Sequence, residues 1–159
     1  MQKITPFLWY DTQAEEAARF YTSLFDNSRI VNVDRFENAG PAGDVTVVTF
    51  ELDGVQYQAM NAGPEFKFNE SFSLLVDCED QAEVDRLWNA LTAGGGEESM
   101  CGWLKDKYGL SWQIVPRRLN ELLADPDKEK AGRAMQAMLQ MQKLDVRALE
   151  EAAAGVARP

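Results

Sequence analysis

The 159-residue chain contains no histidine, so whatever chemistry it performs must run through carboxylates, amides, hydroxyls, lysines or its two cysteines. Ser-His-Asp and Cys-His nucleophile systems are excluded, as are general bases and metal sites built on imidazole. Of the two thiols, Cys101 sits in the run Cys101-Gly102-Trp103-Leu104-Lys105-Asp106-Lys107-Tyr108-Gly109, where two lysines could favour its thiolate and make it a catalytic nucleophile. The same run fits a small residue in a tight strand, which is the favoured reading. Cys78 closes an apolar stretch and reads as a small buried hydrophobe. Two cysteines make at most one bridge, too few for a disulfide scaffold, which favours reduced thiols and a cytoplasmic setting.

The aromatic residues come next. Trp88 lies on the apolar face of a helical pattern, and Trp9 and Trp112 on strand faces expected to meet helices; all three read as core. Trp103 stands beside a glycine and two lysines, where a ring could serve either as core or as the wall of a ligand pocket. The segment from Gly63 to Glu70 is too aromatic for a plain linker, so Phe66 and Phe68 should cover a pocket mouth or a second subunit. Gly94-Gly95-Gly96 follows a helix, not a strand, and Glu97-Glu98 beside it would repel phosphate. It reads as a helix stop, not as a dinucleotide or S-adenosylmethionine loop.

Lys and Arg number 16 against 26 Asp and Glu, a net charge of -10, which disfavours nucleic acid and anionic membrane surfaces as partners. With 45% hydrophobic residues the chain can fill a core. The N-terminal run Met1 to Pro6 leads into a short apolar stretch broken by Asp11, without the pattern of a secretory signal, and this too favours the cytoplasm.

These residues must be positioned by a repeating set of elements. Ile4 to Tyr10 reads as a strand, and Thr12 with Glu15 as a capping box opening a helix that carries Ala17, Phe20, Tyr21, Leu24 and Phe25 on one face. Three strands follow, over Ser28 to Glu37, Val45 to Leu52 and Val55 to Ala62, the last two joined by an Asp53-Gly54 hairpin turn. The order then recurs. A strand beginning near Ser71 precedes a helix opened by Asp80-Gln81-Ala82-Glu83, with Val84, Leu87, Trp88 and Leu91 on its apolar face, and further strands run through Cys101 to Lys105 and Leu110 to Val115. The text itself repeats: Gly54-Val-Gln-Tyr-Gln58-Ala-Met60 matches Gly109-Leu-Ser-Trp-Gln113-Ile-Val115. The chain therefore reads as an α+β fold of two tandem βαβββ modules, residues 1–62 and 71–116, forming one domain over 1–116. A helical extension follows over 117–155, with Asp125-Pro126 and Asp145 as helix starts and a stripe of Ala131, Ala134, Met135, Met138 and Leu139 that docks on the domain or on a second subunit. Residues 156–159 read as a disordered tail.

Two such modules, together with Phe20-Tyr21, the run Asn61 to Glu70 and the run Cys101 to Pro116, resemble the PhnB-like, demethylubiquinone methyltransferase-like branch of the vicinal oxygen chelate superfamily. That superfamily is the fold of glyoxalase I, extradiol dioxygenases and the bleomycin and fosfomycin resistance proteins. The resemblance implies curled mixed sheets around a cavity, a homodimer, and metal ligands from the first and last strand of each module. In this sequence those positions correspond to Pro6, Gln58, Ser71 and Gln113, which do not make a transition-metal site, so no metal or other cofactor is expected. What remains is a cavity faced by Pro6, Leu8, Gln58, Met60, Ser71, Ser73, Leu75, Ser111 and Gln113, with Trp103 and Phe68 as wall and lid. Apolar walls with a few amides and hydroxyls suit binding of a small, partly aromatic organic molecule. The competing readings are an isomerase, lyase or transferase using Cys101 or a carboxylate, and a methyltransferase, for which the sequence shows no cofactor loop.

Overall fold

The structure, a computed structural model, describes residues 2–41 and 43–156, so the expected tail beyond Val156 lies outside the described residues. The chain divides into two compact units, one ending at Phe68 and the other beginning at Asn69.

The first unit runs β1 (Phe7–Tyr10), α1 (Ala14–Leu24), β2 (Arg29–Gly40), β3 (Gly43–Leu52) and β4 (Val55–Asn61), with sheet order β1-β4-β3-β2. β1 lies parallel to β4, as it must when a helix carries the chain across, and the remaining pairs are antiparallel. The β3–β4 turn has Asp53 at φ 50° and Gly54 at φ 79°, the two left-handed residues that a tight two-residue hairpin requires, and it sets the register Leu52 to Val55. That register turns Leu8, Tyr10, Val48, Phe50 and Ala59 to one side, where they are buried beneath α1 with Ala14, Ala17, Ala18 and Tyr21.

α1 begins differently from the sequence expectation. Its N-cap is Gln13, and no side chain of the cap residue bonds the helix; the first turn is held by Asn61 of β4, whose Oδ1 accepts the Ala14 N–H at 2.6 Å. A strand residue thus does the work that Thr12 was expected to do.

The second unit repeats the plan with β5 (Ser73–Cys78), α2 (Gln81–Thr92), β6 (Glu97–Glu98), β7 (Trp103–Lys105) and β8 (Ser111–Pro116), in sheet order β5-β8-β7-β6. The two orders are identical element for element, which is the structural form of the duplication. Here the cap is the expected one: Asp80 accepts the Glu83 N–H at 2.9 Å, while Glu83 reaches back to the Glu79 N–H at 3.1 Å. Leu74, Trp112, Ile114 and Leu104 share the side covered by α2 with Trp88, Leu87 and Leu91. Burying each of the two indoles removes on the order of 200 Å² from water, about 5 kcal/mol before conformational entropy is charged against it.

Three helices complete this unit: α3 (Arg117–Leu123), α4 (Lys128–Leu139) and α5 (Val146–Ala153). They close a second core of Val115, Leu119, Leu122, Ala134, Leu144, Leu149 and Ala153. The side chain of Gln81 ties this core to α2, donating to the Leu144 carbonyl at 3.0 Å and accepting the Val146 N–H at 2.7 Å. Asp145 caps α5 as expected, but α4 starts at Asp127, which accepts the Glu129 and Lys130 N–H groups, two residues later than Asp125-Pro126 implied. The expected stripe on α4 also splits. Of its members Ala134 and Met138 pack inward, whereas Met135 and Leu139 are exposed. No helix among the described residues is long and apolar enough to cross a membrane.

Candidate functional site

The pleat decides which side chains each sheet presents on the side away from its helix. In the first unit the register groups Phe7, Trp9, Gln58, Met60, Thr49 and Val47 there. Gln58 Nε2 donates to Thr49 Oγ1, its cross-strand neighbour, at 3.1 Å. Three expectations change. Leu8 is buried on the helix side, so β1 contributes Phe7 and Trp9 in its place, and Trp9, expected in the core, is half-buried on the open side. Pro6 precedes the strand and engages through its carbonyl, which accepts the Gln58 N–H at 3.0 Å. The aromatic linker folds back onto β1: Phe66 meets Trp9 edge-on at 4.9 Å and Phe68 meets the helix-side Tyr10 at 5.1 Å, while the Trp9 indole donates to the Gly63 carbonyl at 2.9 Å.

In the second unit two rows cross the open face. One is Ser73, Ser111, Lys105 and Glu97; the next is Leu75, Gln113 and Trp103. Gln113 Nε2 donates diagonally to Ser73 Oγ at 3.0 Å. Ser71 falls out of the set, because β5 starts at Ser73 and Ser71 sits exposed in the preceding turn, bonded to Asn69. A recess of ≈ 510 Å³ opens beside these rows, lined by Glu70, Glu97, Ser99, Met100, Cys101, Trp103, Lys105 and Ser111 among others. The structure thus brings together Cys101, Trp103 and Ser111, joins Ser73 to Gln113, and places Gln58, Met60 and Phe68 in the other unit.

The electrostatics of the recess are set by one ion pair. Lys105 Nζ bonds the Glu70 carboxylate, which holds that carboxyl below its ordinary range and the ammonium above its own, so both stay charged at neutral pH. At the floor, Ser111 is 1% exposed and its Oγ has no hydrogen-bond partner. Cys101 is half-buried in a left-handed turn at φ 60°, where its N–H donates to the Met141 carbonyl at 2.7 Å; it lies between strands and not within one. Cys78 is fully buried, and desolvation, reinforced by the Glu83 and Asp77 charges, pushes its thiol up to about 12.

Sequence reasoning passed over Asp106. It is 3% exposed and gathers the Tyr108 and Leu110 N–H groups and the Trp112 indole, thereby fixing the β7–β8 loop beneath the site. Its signal was present as Asp106 three residues before Gly109, a turn spacing hidden between two lysines.

The family model described as 3-demethylubiquinone-9 3-methyltransferase matches residues 2–115. A PhnB protein from Bacillus cereus is 38% identical, covering 72% of this chain and 99% of its own, with a TM-score of 0.65. The chain belongs to this PhnB-like family. A Pseudomonas aeruginosa protein at 20% identity covers 73% of this chain and 98% of its own with a TM-score of 0.61. The fosfomycin resistance protein FosX of Listeria monocytogenes, complexed with Mn(II) and a dihydroxypropylphosphonic acid, is 13% identical over 72% of this chain and 92% of its own, TM-score 0.53. These two share the fold of the PhnB-like chain, that of the vicinal oxygen chelate superfamily. No curated protein matches the chain.

The metal in the FosX complex does not fit the donor set of this PhnB-like chain. Gln58 and Gln113 offer neutral amide oxygens, which are weak ligands for a transition metal, and Ser71 and Pro6 lie off the open faces. Among the described residues no three Cys, Asp or Glu side chains cluster to hold an ion. In the α2–β6 turn Gly96 packs so tightly that a Cβ would come within 2.7 Å of the Leu91 carbonyl oxygen, as a close helix stop requires.

Proposed function

We propose that the protein binds a small, partly aromatic organic molecule without a metal, and that the recess on the open side of the second sheet is the site. The observation that carries this reading is the floor of that recess. Ser111 is buried with an unpartnered hydroxyl, and Trp103 offers an aromatic surface in the same hollow. An unmet buried hydroxyl costs on the order of 1 to 3 kcal/mol, a cost that a ligand able to bond it removes. The volume of ≈ 510 Å³ falls inside the range of roughly 300 to 1,000 Å³ usual for small-molecule sites.

The same reading makes the protein a homodimer. It is supported by Phe7, 50% exposed, and Leu75, 59% exposed, on the sides of the two sheets that no helix covers. It places the protein in the cytoplasm, supported by two free thiols, and the net charge of -10 argues against nucleic acid as a partner.

A thermal-shift screen of small aromatic compounds, followed by calorimetric titration of the hits into the intact chain, tests the site. Hits that stabilise the protein and lose affinity in both Trp103→Leu and Ser111→Ala support it. Hits indifferent to both substitutions place the site elsewhere. Light scattering at working concentration tests the dimer.

A further inference from the structure

The recess also carries information about the charge of its ligand, an inference that rests on the reading just given. Three ionised groups face it from the open side. Lys105 is paired with Glu70 and stands directly across from Glu97 in the β6–β7 register. Glu98 also lines the recess, but its carboxylate turns to the helix side, where it accepts the Trp88 indole N–H at 2.6 Å and keeps its negative charge. Two carboxylates therefore meet one ammonium, leaving one negative charge uncompensated beside the ring of Trp103, which lies two residues from Lys105 on the same face. The unpartnered Ser111 hydroxyl, next to Lys105 across the β7–β8 pair, is an independent sign of a missing polar partner.

We propose that the recess selects a planar aromatic or heteroaromatic molecule carrying one positive charge, with its ring on Trp103 and its cationic group between Glu97 and Glu70. An indole face attracts a cation in its own right, and the chain's charge of -10 adds a long-range attraction of the same sign. An anion would have to displace Glu70 from Lys105 and sit against Glu97. A neutral isostere gains the ring contact and nothing from the carboxylates.

Three matched probes decide the matter: naphthylmethylammonium, naphthylmethanol and naphthoate, titrated into isotope-labelled full-length protein while the Trp103 indole resonance is followed, assigned through Trp103→Phe. The ammonium should bind about tenfold more tightly than the alcohol, as expected for one partly solvated charge at close range, and the naphthoate most weakly. Glu97→Gln should reduce the ratio of ammonium to alcohol affinity, and Lys105→Met should raise it. Equal affinities, or tightest binding of naphthoate, overturn the charge preference while leaving an aromatic site in place. If none of the probes moves the Trp103 resonance, both the charge preference and the recess itself are refuted.

Discussion

Asp106 accepts the indole N–H of Trp112 across 2.9 Å, and both residues are buried. The same carboxylate takes the backbone N–H groups of Tyr108 and Leu110, at 2.9 and 3.1 Å, from the loop between β7 and β8. One side chain therefore closes the loop and orients one of the two buried indoles of that unit. Ser111 and Gln113, which flank Trp112 on β8, face the opposite side of the sheet, so the site is held from behind by a residue that never touches it.

Asp106→Ala should accordingly be among the most damaging single changes in the second unit. It strips two buried donors and one half-buried donor of their acceptor, and a loss of about 3 kcal/mol is expected in urea unfolding. Asp106→Asn keeps one carbonyl oxygen and a similar shape, so it should lose distinctly less. An alanine variant within about 1 kcal/mol of wild type would show that water replaces the carboxylate.

How much of this was legible beforehand depends on whether the signal was local. The Asp80 cap, the Asp53-Gly54 turn and the Gly54/Gly109 repeat were readable because each is determined by a few adjacent residues, and all appear where the repeat places them. Leu8 and Ser71 were misplaced for a different reason. The side a strand residue faces depends on pairing register, which for β1 and β5 is set by β4 and β8, tens of residues away. The start of α1 shows the same limit, since Asn61 is remote in sequence from Ala14. The recess was invisible for a similar reason: Glu70, Glu97 and Ser111 come from three separate segments, and only the Lys105 ion pair and the sheet bring them together.

Gly102 is the point at which the C-terminal helices lock to the second sheet. Its N–H donates to the Gln142 carbonyl at 2.9 Å, its carbonyl accepts the Ile114 N–H at 2.8 Å, and its φ is +85°. A Cβ there would lie 2.9 Å from Leu144 Cδ1 and 3.0 Å from the Ile114 carbonyl oxygen. Gly102→Ala should cost about 2 kcal/mol or more through both the clash and the left-handed backbone. Hydrogen exchange should accelerate first in α4 and α5. Uniform loss of protection across the second unit would instead mean that these helices and the sheet unfold as one.

Metal content follows from the donors. With amide oxygens at Gln58 and Gln113 and, among the described residues, no three Cys, Asp or Glu side chains placed to hold an ion, dialysis against Mn(II) or Zn(II) and then against metal-free buffer should leave far less than one equivalent of metal. Elemental analysis reads this directly. A retained stoichiometric ion would require ligands that neither sheet provides in this arrangement.

The two thiols should behave in opposite ways. Cys101 is half-buried at the recess, whereas Cys78 is sealed beneath α2 with its thiol pushed up to about 12, so iodoacetamide at neutral pH should give a single adduct on Cys101. Blocking of that adduct by a bound ligand would place the ligand in the recess. Cys78 also predicts an alkaline signature. Unfolded, its thiol ionises near the ordinary 9.0; folded, it keeps its proton until about 12. Between those values the unfolded state has released a proton that the native state retains, so the contribution is intact below pH 9 and is lost as pH rises through the window, with a limiting slope of about 1.4 kcal/mol per pH unit. Cys78→Ala, though less stable overall because of the cavity it leaves, should lose stability less steeply with pH than wild type across that range. Parallel slopes in the two proteins would show that the buried thiol ionises as readily in the native state as in the unfolded one, and that the seal under α2 is open.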